Sequence, residues 1–236
     1  MLELDIGSRL AELRSEYQVD NRVNISNVWK NNGAETLLDA LSNQTEFDHA
    51  LHANGSSIRL TDSQLKGMSN QERQQMHQSM MNHAAQGVGF LYNSHLLGRQ
   101  YSKPTPQLIK QAHTLLNTAE VLNTIKELTG HQDIIYASAQ ATRYLPGHFL
   151  TRHNDVYEQE GRRVAFVMGF TPRWHPDWGG LLHFYKQDGS LTDTWVPRFN
   201  NMVLFDVKHP HSVSYVSPFA QGARYSITGW FRAIKP

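Results

Sequence analysis

The hydrophobic pattern changes its period partway along the chain. Ile6, Leu10 and Leu13 fall at helical spacing in residues 5–17, and Ala34, Leu37, Leu38 and Leu41 do so in 34–42. Ser69 and Glu72 stand in capping-box spacing ahead of a run that reaches Gly87, which predicts a helix over 70–86. Two more helical stretches fit 105–116 and 118–129, the second closed by Gly130. Within this first part only "RVNIS" at 22–26 alternates like a strand.

From about residue 132 the runs become short and rich in aromatic and β-branched residues: "DIIYASAQATRY", "RRVAFVMGF", "GLLHFY", "DTWVPR", "NMVLFDV", "HSVSYV" and "RYSITGWFRA". Turn chemistry such as "LPG", "EQEG", "PDWGG", "QDGS" and "PFAQG" separates them. Closely spaced short strands point to a sandwich or barrel. The expected architecture is therefore α+β. Residues 1–130 form a mainly helical support and 131–236 an antiparallel β-sandwich. No Pro/Gly/Ser-rich linker separates the halves, so 1–236 reads as a single domain.

Composition narrows the chemistry. A formal charge of +1 and the lack of a long basic run speak against a dedicated nucleic-acid surface. No apolar stretch approaches the roughly 18 residues of a membrane span, and the N-terminus lacks a signal-peptide pattern. Cysteine is absent, which removes disulfides and thiolate chemistry and fits a cytoplasmic protein. Any metal must be held by His, carboxylates and water, and the chain has 13 histidines. Nothing in the sequence points to a particular oligomeric state.

Three constellations qualify. In "RHND", His153 and Asp155 share a face if the segment is a strand. With so many histidines, that pair alone does not distinguish a metal site from a solvated loop. In "VKHPHSV", His209 and His211 form a His-x-His pair of the kind that holds zinc. Pro210 belongs at a strand start, which makes His211 the first regular strand residue and leaves His209 in a turn. In "RYSITGWF", Arg224, Ser226 and Thr228 form a polar row on an otherwise apolar strand. That row either faces solvent or contains a buried arginine that needs an anion. A flat hairpin at "PFAQG" would pair His211 with a residue near 229, far from Arg224. The two converge only in a curled sandwich. Two histidines and one aspartate make a facial triad, diagnostic of non-haem iron(II) oxygenases.

At this point the sequence resembles the iron(II)- and 2-oxoglutarate-dependent dioxygenases, in their prolyl 4-hydroxylase-like branch. The matching text is "YLPGHFLTRHND", "GRRVAFVMGFTPRW", "WGGLLHFY" and "HSVSYV…RYSITGWF", over about residues 144–231. It is most similar to predicted proline hydroxylases related to the ribosomal-protein prolyl hydroxylases. The resemblance implies a double-stranded β-helix (jelly-roll, cupin-like) core and an oxidoreductase. His153, Asp155 and His211 would ligate Fe(II), and Arg224 would bind the distal carboxylate of 2-oxoglutarate. Tyr144 would face cosubstrate and metal, and Leu182 would form an apolar wall. O2 is the second cosubstrate, with ascorbate as an accompanying reductant. The implied reaction hydroxylates a substrate C–H with release of succinate and CO2, on proline of a protein or peptide. Alternatives are a small-molecule substrate (a free amino acid or biosynthetic intermediate), a non-catalytic binding protein, or a zinc hydrolase using His209 and His211.

One position departs from the pattern. Gly169 stands where many prolyl hydroxylases carry a tyrosine for the distal carboxylate. Arg224 then acts with Thr228 or a water, or the pocket is roomier. His49, His52, His77, His83 and His95 read as structural or solvated residues of helices and loops. Trp174 and Trp178 read as packing rather than lid residues. The polar run 156–162 reads as a mobile loop able to cover the substrate.

Overall fold

The computed structural model describes residues 2–98 and 103–235. The helices follow the sequence signals closely. After a 3-10 turn, α1 spans Leu10–Asp20 and stops at Asn21, whose left-handed φ of 50° ends the helix. Then come α2 (Gly33–Asp39), which runs on into a π-helical turn at Ala40–Gln44, and α3 (Asp62–Gly67). Helix α4 (Asn70–Ala85) opens on the expected box, with the Glu72 backbone N–H donating to Ser69 Oγ and the Ser69 N–H donating to the Glu72 carboxylate. α5 covers Gln107–Leu116, and α6 covers Ala119–Thr129 between a Thr118 N-cap and a left-handed Gly130.

Among the described residues there are twelve strands: β1 (Arg22–Ser26), β2 (Asp48–Ala53), β3 (Ser56–Leu60), β4 (Phe90–Leu97), β5 (Tyr136–Tyr144), β6 (Phe149–His153), β7 (Arg162–Phe170), β8 (Leu182–Tyr185), β9 (Leu191–Trp195), β10 (Phe199–Asp206), β11 (His211–Val213) and β12 (Arg224–Arg232). They form one curled antiparallel sheet in the order β1-β10-β7-β12-β5-β4-β6-β11-β8-β9, with β2 and β3 branching from β4. β4 pairs with both β5 and β6, so it is the hinge where the sheet folds over on itself. The two layers meet through Phe184 of β8 and Phe205 of β10, with ring centroids 5.2 Å apart. At the far edges, Arg22 of β1 lies 4.7 Å over the Phe184 ring and 5.6 Å from the Trp195 ring. This is the jelly-roll core expected from the sequence.

The first half is less helical than its periodicity suggests. Besides β1 it supplies β2, β3 and β4, and His49, His52 and His95 lie on strands. The physical reason is that β4 buries polar side chains. Asn93, Ser94 and His95 are all fully buried, so no hydrophobic alternation marks the strand. Their burial is matched by hydrogen bonds: Arg143 Nη2 donates to Asn93 Oδ1 (3.0 Å), and His95 reaches the Glu46 carbonyl and Thr105.

Alternation along the long strands separates structure from site. On β7, Val164, Phe166, Met168 and Phe170 join the core that the helices cover, while Ala165 and Val167 turn to the opposite layer. Ile227 and Phe231 of β12, and Ala137, Ala139 and Ala141 of β5, likewise face the helices. The intervening residues line a cavity of about 550 Å³ between the layers. Among the described residues, no helix is long and apolar enough to cross a membrane.

Candidate metal centre and anion pocket

His153 ends β6, and the chain then leaves the sheet. The Asp155 N–H donates to the Val207 carbonyl at 2.9 Å, which fixes the aspartate beside the sheet rather than on a strand. His211 opens β11 directly after Pro210, as the proline predicts, and pairs across the ladder with His153. Three ligand atoms, one each from His153, Asp155 and His211, lie within 4.8 Å of one another. His153 Nε2 is 3.7 Å from Asp155 Oδ1, and His211 Nε2 is 3.5 Å from Asp155 Oδ2.

Both imidazoles are oriented from behind. His153 Nδ1 sits 2.9 Å from the Thr151 carbonyl and His211 Nδ1 sits 2.9 Å from the His209 carbonyl. A carbonyl only accepts, so each Nδ1 carries the proton and each Nε2 lone pair faces the aspartate. Burial holds His211 down to about 4, with Asp155 pulling the other way, so the imidazole is neutral and able to ligate at neutral pH. Two imidazoles and a carboxylate suit a divalent first-row metal with open positions, the donor set of non-haem iron.

His209 is excluded from this group. Its Nε2 donates to the Asp20 carbonyl at 2.7 Å, so the side chain is committed to the end of α1. The zinc reading built on His209 and His211 is therefore wrong; His209 contributes only its backbone carbonyl, which orients His211. Among the described residues, no other histidine joins a metal-holding group.

Arg224 lines the same cavity. It opens β12 opposite Tyr144 of β5 and is 5% exposed. β12 lies between β5 and β7 while β11 lies between β6 and β8, so His211 and Arg224 are on different layers and not on one hairpin. Its Nη1 donates to the Gly180 carbonyl at 2.7 Å, and its guanidinium stands 5.2 Å from the Tyr144 ring. No carboxylate among the described residues is within ion-pair distance of it. Burial lowers its pKa, yet a guanidinium in a protein stays charged. A buried cation without a protein counter-ion calls for an anionic ligand.

Tyr144 and Leu182 line this cavity, and Tyr144 stacks on Tyr92 with centroids 5.3 Å apart. Of the accounts of Gly169, the Thr228 partner and the roomier pocket do not hold. Thr228 lies four residues along β12 from Arg224, roughly 13 Å at strand rise, so it is not the arginine's partner. The space a side chain at 169 would need is already filled by the Arg198 carbonyl and the Asn201 side chain, so the pocket is not roomier there.

Two residues beside Asp155, Arg162 and Trp230, had no place at the metal in the sequence reading, where Arg162 only closed the 156–162 run. Arg162, at the start of β7, has Nη1 3.8 Å from Asp155 Oδ1 and its guanidinium 3.7 Å over the Trp230 ring. The position of Arg162 seven residues after Asp155 gave no warning, because charged turn residues are common beside hairpins.

Comparison with known proteins agrees with this geometry. A sequence model described as the 2OG-Fe(II) oxygenase superfamily matches residues 139–232, a span that contains His153, Asp155, His211 and Arg224. Prolyl 3-hydroxylase OGFOD1 of Xenopus laevis is 38% identical over 86 residues, covering 34% of this chain and 16% of the relative. The chain thus matches about a sixth of that relative's length. A Pseudomonas putida prolyl-4-hydroxylase structure is similar with a TM-score of 0.63 at 16% identity, over 95% of this chain and 99% of that one. A Trichoplax adhaerens prolyl hydroxylase, solved with a hypoxia inducible factor peptide fragment, gives 0.66 at 17% identity, over 96% and 90%. These likenesses show that residues 139–232 and the helices before them share the fold of those two structures.

Proposed function

We propose that the protein is an Fe(II)- and 2-oxoglutarate-dependent oxygenase that hydroxylates proline in a protein or peptide. The observation that carries the reading is one cavity with a two-histidine, one-carboxylate triad and a buried arginine that has no carboxylate partner among the described residues. His153, Asp155 and His211 hold the metal, and Arg224 neutralises the distal carboxylate of the keto acid. Tyr144 and Leu182 wall the cosubstrate, and Arg162 and Trp230 flank the metal where a substrate residue enters. Bound Fe(II) with 2-oxoglutarate and O2 supplies the oxidising power that couples keto-acid decarboxylation, giving succinate and CO2, to oxygen insertion at a C–H bond. Ascorbate serves as the accompanying reductant.

The named activities of the relatives support proline as the target, and the peptide in the Trichoplax complex supports a peptide substrate. Val156 and Tyr157, about half exposed just beyond Asp155, are placed to cover such a peptide. The absence of cysteine supports the cytoplasm as the location. Incubation of the iron-loaded protein with lysate proteins, 2-oxoglutarate and ascorbate tests the reading. Succinate release together with a gain of about 16 Da on proline is expected. Succinate release with the gain on a free amino acid would move the substrate to the small-molecule class. No 2-oxoglutarate turnover would overturn the reading.

A further inference from the structure

We propose that Trp174 and the pair Gly179–Gly180 form a clasp that sets the orientation of Arg224, making Trp174 a positioning residue for the anion end of the pocket. The inference rests on the reading above that Arg224 receives the distal carboxylate.

A guanidinium carries five donors in one plane, so fixing one of them aims the others. The Gly180 carbonyl fixes Nη1 at 2.7 Å. For that carbonyl to turn inward, the backbone takes unusual values at two successive residues. Gly179 has φ 70° and ψ −149°, a region that essentially only glycine occupies, and Gly180 has φ 62°. A Cβ on Gly179 would overlap the Tyr215 carbonyl. The Gly180 N–H donates to the Ser214 carbonyl at 3.1 Å and the Leu181 N–H to Ser214 Oγ at 3.0 Å, which tie the inner side of the turn to the strand after His211.

The outer side is held by one side chain. Trp174 Nε1 donates to the Gly179 carbonyl at 2.8 Å. Its ring edge would lie 3.2 Å from a Cβ on Gly180, and Trp178 packs against it with centroids 5.3 Å apart. Trp174 does not line the central cavity, so it acts on the anion only through Gly180 and Arg224. It belongs to the cluster around Tyr144, Val213 and Val216, which anchors the indole to the same layer as His211.

Trp174→Phe removes the N–H and keeps most of the ring. Binding is measured calorimetrically with the iron-loaded protein under anaerobic conditions, for 2-oxoglutarate and for 2-oxopentanoate, which lacks the distal carboxylate. The clasp predicts a Kd for 2-oxoglutarate raised about 5- to 10-fold, the worth of one hydrogen bond. The Kd for 2-oxopentanoate and the affinity for iron should not change. With Arg224→Ala already present, the substitution should add little. Trp174→His, which keeps a ring N–H, should recover part of the loss, and Trp174→Leu, which also lacks the N–H, replaces Trp174→Phe should that variant not fold. Equal 2-oxoglutarate affinity, or equal weakening of both keto acids, would overturn the clasp and leave Trp174 as packing. If the unmodified protein binds no 2-oxoglutarate, the functional reading itself fails. If it binds and only Arg224→Ala weakens it, the clasp alone fails.

Discussion

The two faces of β5, β12 and β7 are made from alternate residues of the same strands, yet they differ in almost every property. The outer face is dry: Ala137, Val164, Phe166, Met168, Ile227 and Phe231 pack under α5, α6 and their neighbours with almost no exposure. The inner face carries Gln140, Thr142, Tyr144, Arg224, Ser226 and Thr228 around a cavity of about 550 Å³. Burial on the outer face follows from apolar area removed from water. On the inner face some polar groups pair, as Thr142 and Ser226 do through hydroxyls 2.9 Å apart, while Arg224 meets a backbone carbonyl and no carboxylate among the described residues. A period of two thus lets one strand stabilise the fold with one set of residues and hold a site with the other. Changes on the inner face should therefore cost binding and turnover, and changes on the outer face should cost stability.

The sharpest break of that division is Asp155→Ala. It should eliminate metal binding and succinate formation while the protein still folds, read by metal analysis and circular dichroism on the same sample. Full turnover would sink the triad. The opposite case is Phe231→Ala on the outer face. Phe231 is fully buried and its ring lies 5.1 Å from that of Phe166, so truncation should cost about 3–5 kcal/mol in urea unfolding. The metal affinity of the folded fraction should stay as it was. A smaller effect is expected at His148, in the turn between β5 and β6. Burial, its largest cause, holds this imidazole down to about 4, and Nδ1 has no hydrogen-bond partner. The unfolded chain takes up the proton near 6.5, whereas the folded protein resists it until about 4. The stability contributed is complete above 6.5 and falls away as pH drops toward 4, by roughly 3 kcal/mol at most. His148→Gln should flatten the loss of stability between pH 7 and 5; an unchanged slope would show that other groups carry it.

How far the sequence reveals this division depends on what each residue needs around it. His153 and His211 are legible because a strand end and a proline place them, and Asp155 because it stands two residues from His153. The convergence of Arg224 with them is not legible, because the hairpin that spacing suggests does not exist; β11 and β12 belong to opposite layers. Helices α4, α5 and α6 are marked by caps and apolar stripes that depend on local sequence alone. β4 is hidden because Asn93, Ser94 and His95 are satisfied by partners up to 50 residues away, which no local pattern encodes. Arg162 and Trp230 are missed for a related reason. Each looks ordinary alone, and only their stacking beside Asp155 makes them part of the site.

Gly169 tests whether the division holds at an inner-face residue packed against a neighbouring loop. It lies on β7 between Ser226 of β12 and Asn201 of β10, in line with the inward-facing Ala165 and Val167. A methyl group there would overlap the Arg198 carbonyl and the Asn201 side chain. Asn201 could turn away, since its amide is held by Asn24 at only one point, 2.9 Å away. The carbonyl is backbone and has less freedom. It precedes a bulge in β10 between Phe199 and Asn201, and within that bulge Asn200 is locked to the Trp29 backbone by bonds of 2.8 and 3.0 Å. Gly169→Ala should therefore cost about 1–3 kcal/mol, and Gly169→Ala with Asn201→Ala should recover less than half of it. Urea unfolding of the two variants measures this. If the single variant is as stable as the unmodified protein, the bulge yields freely, and a larger side chain at the anion end is compatible with this fold.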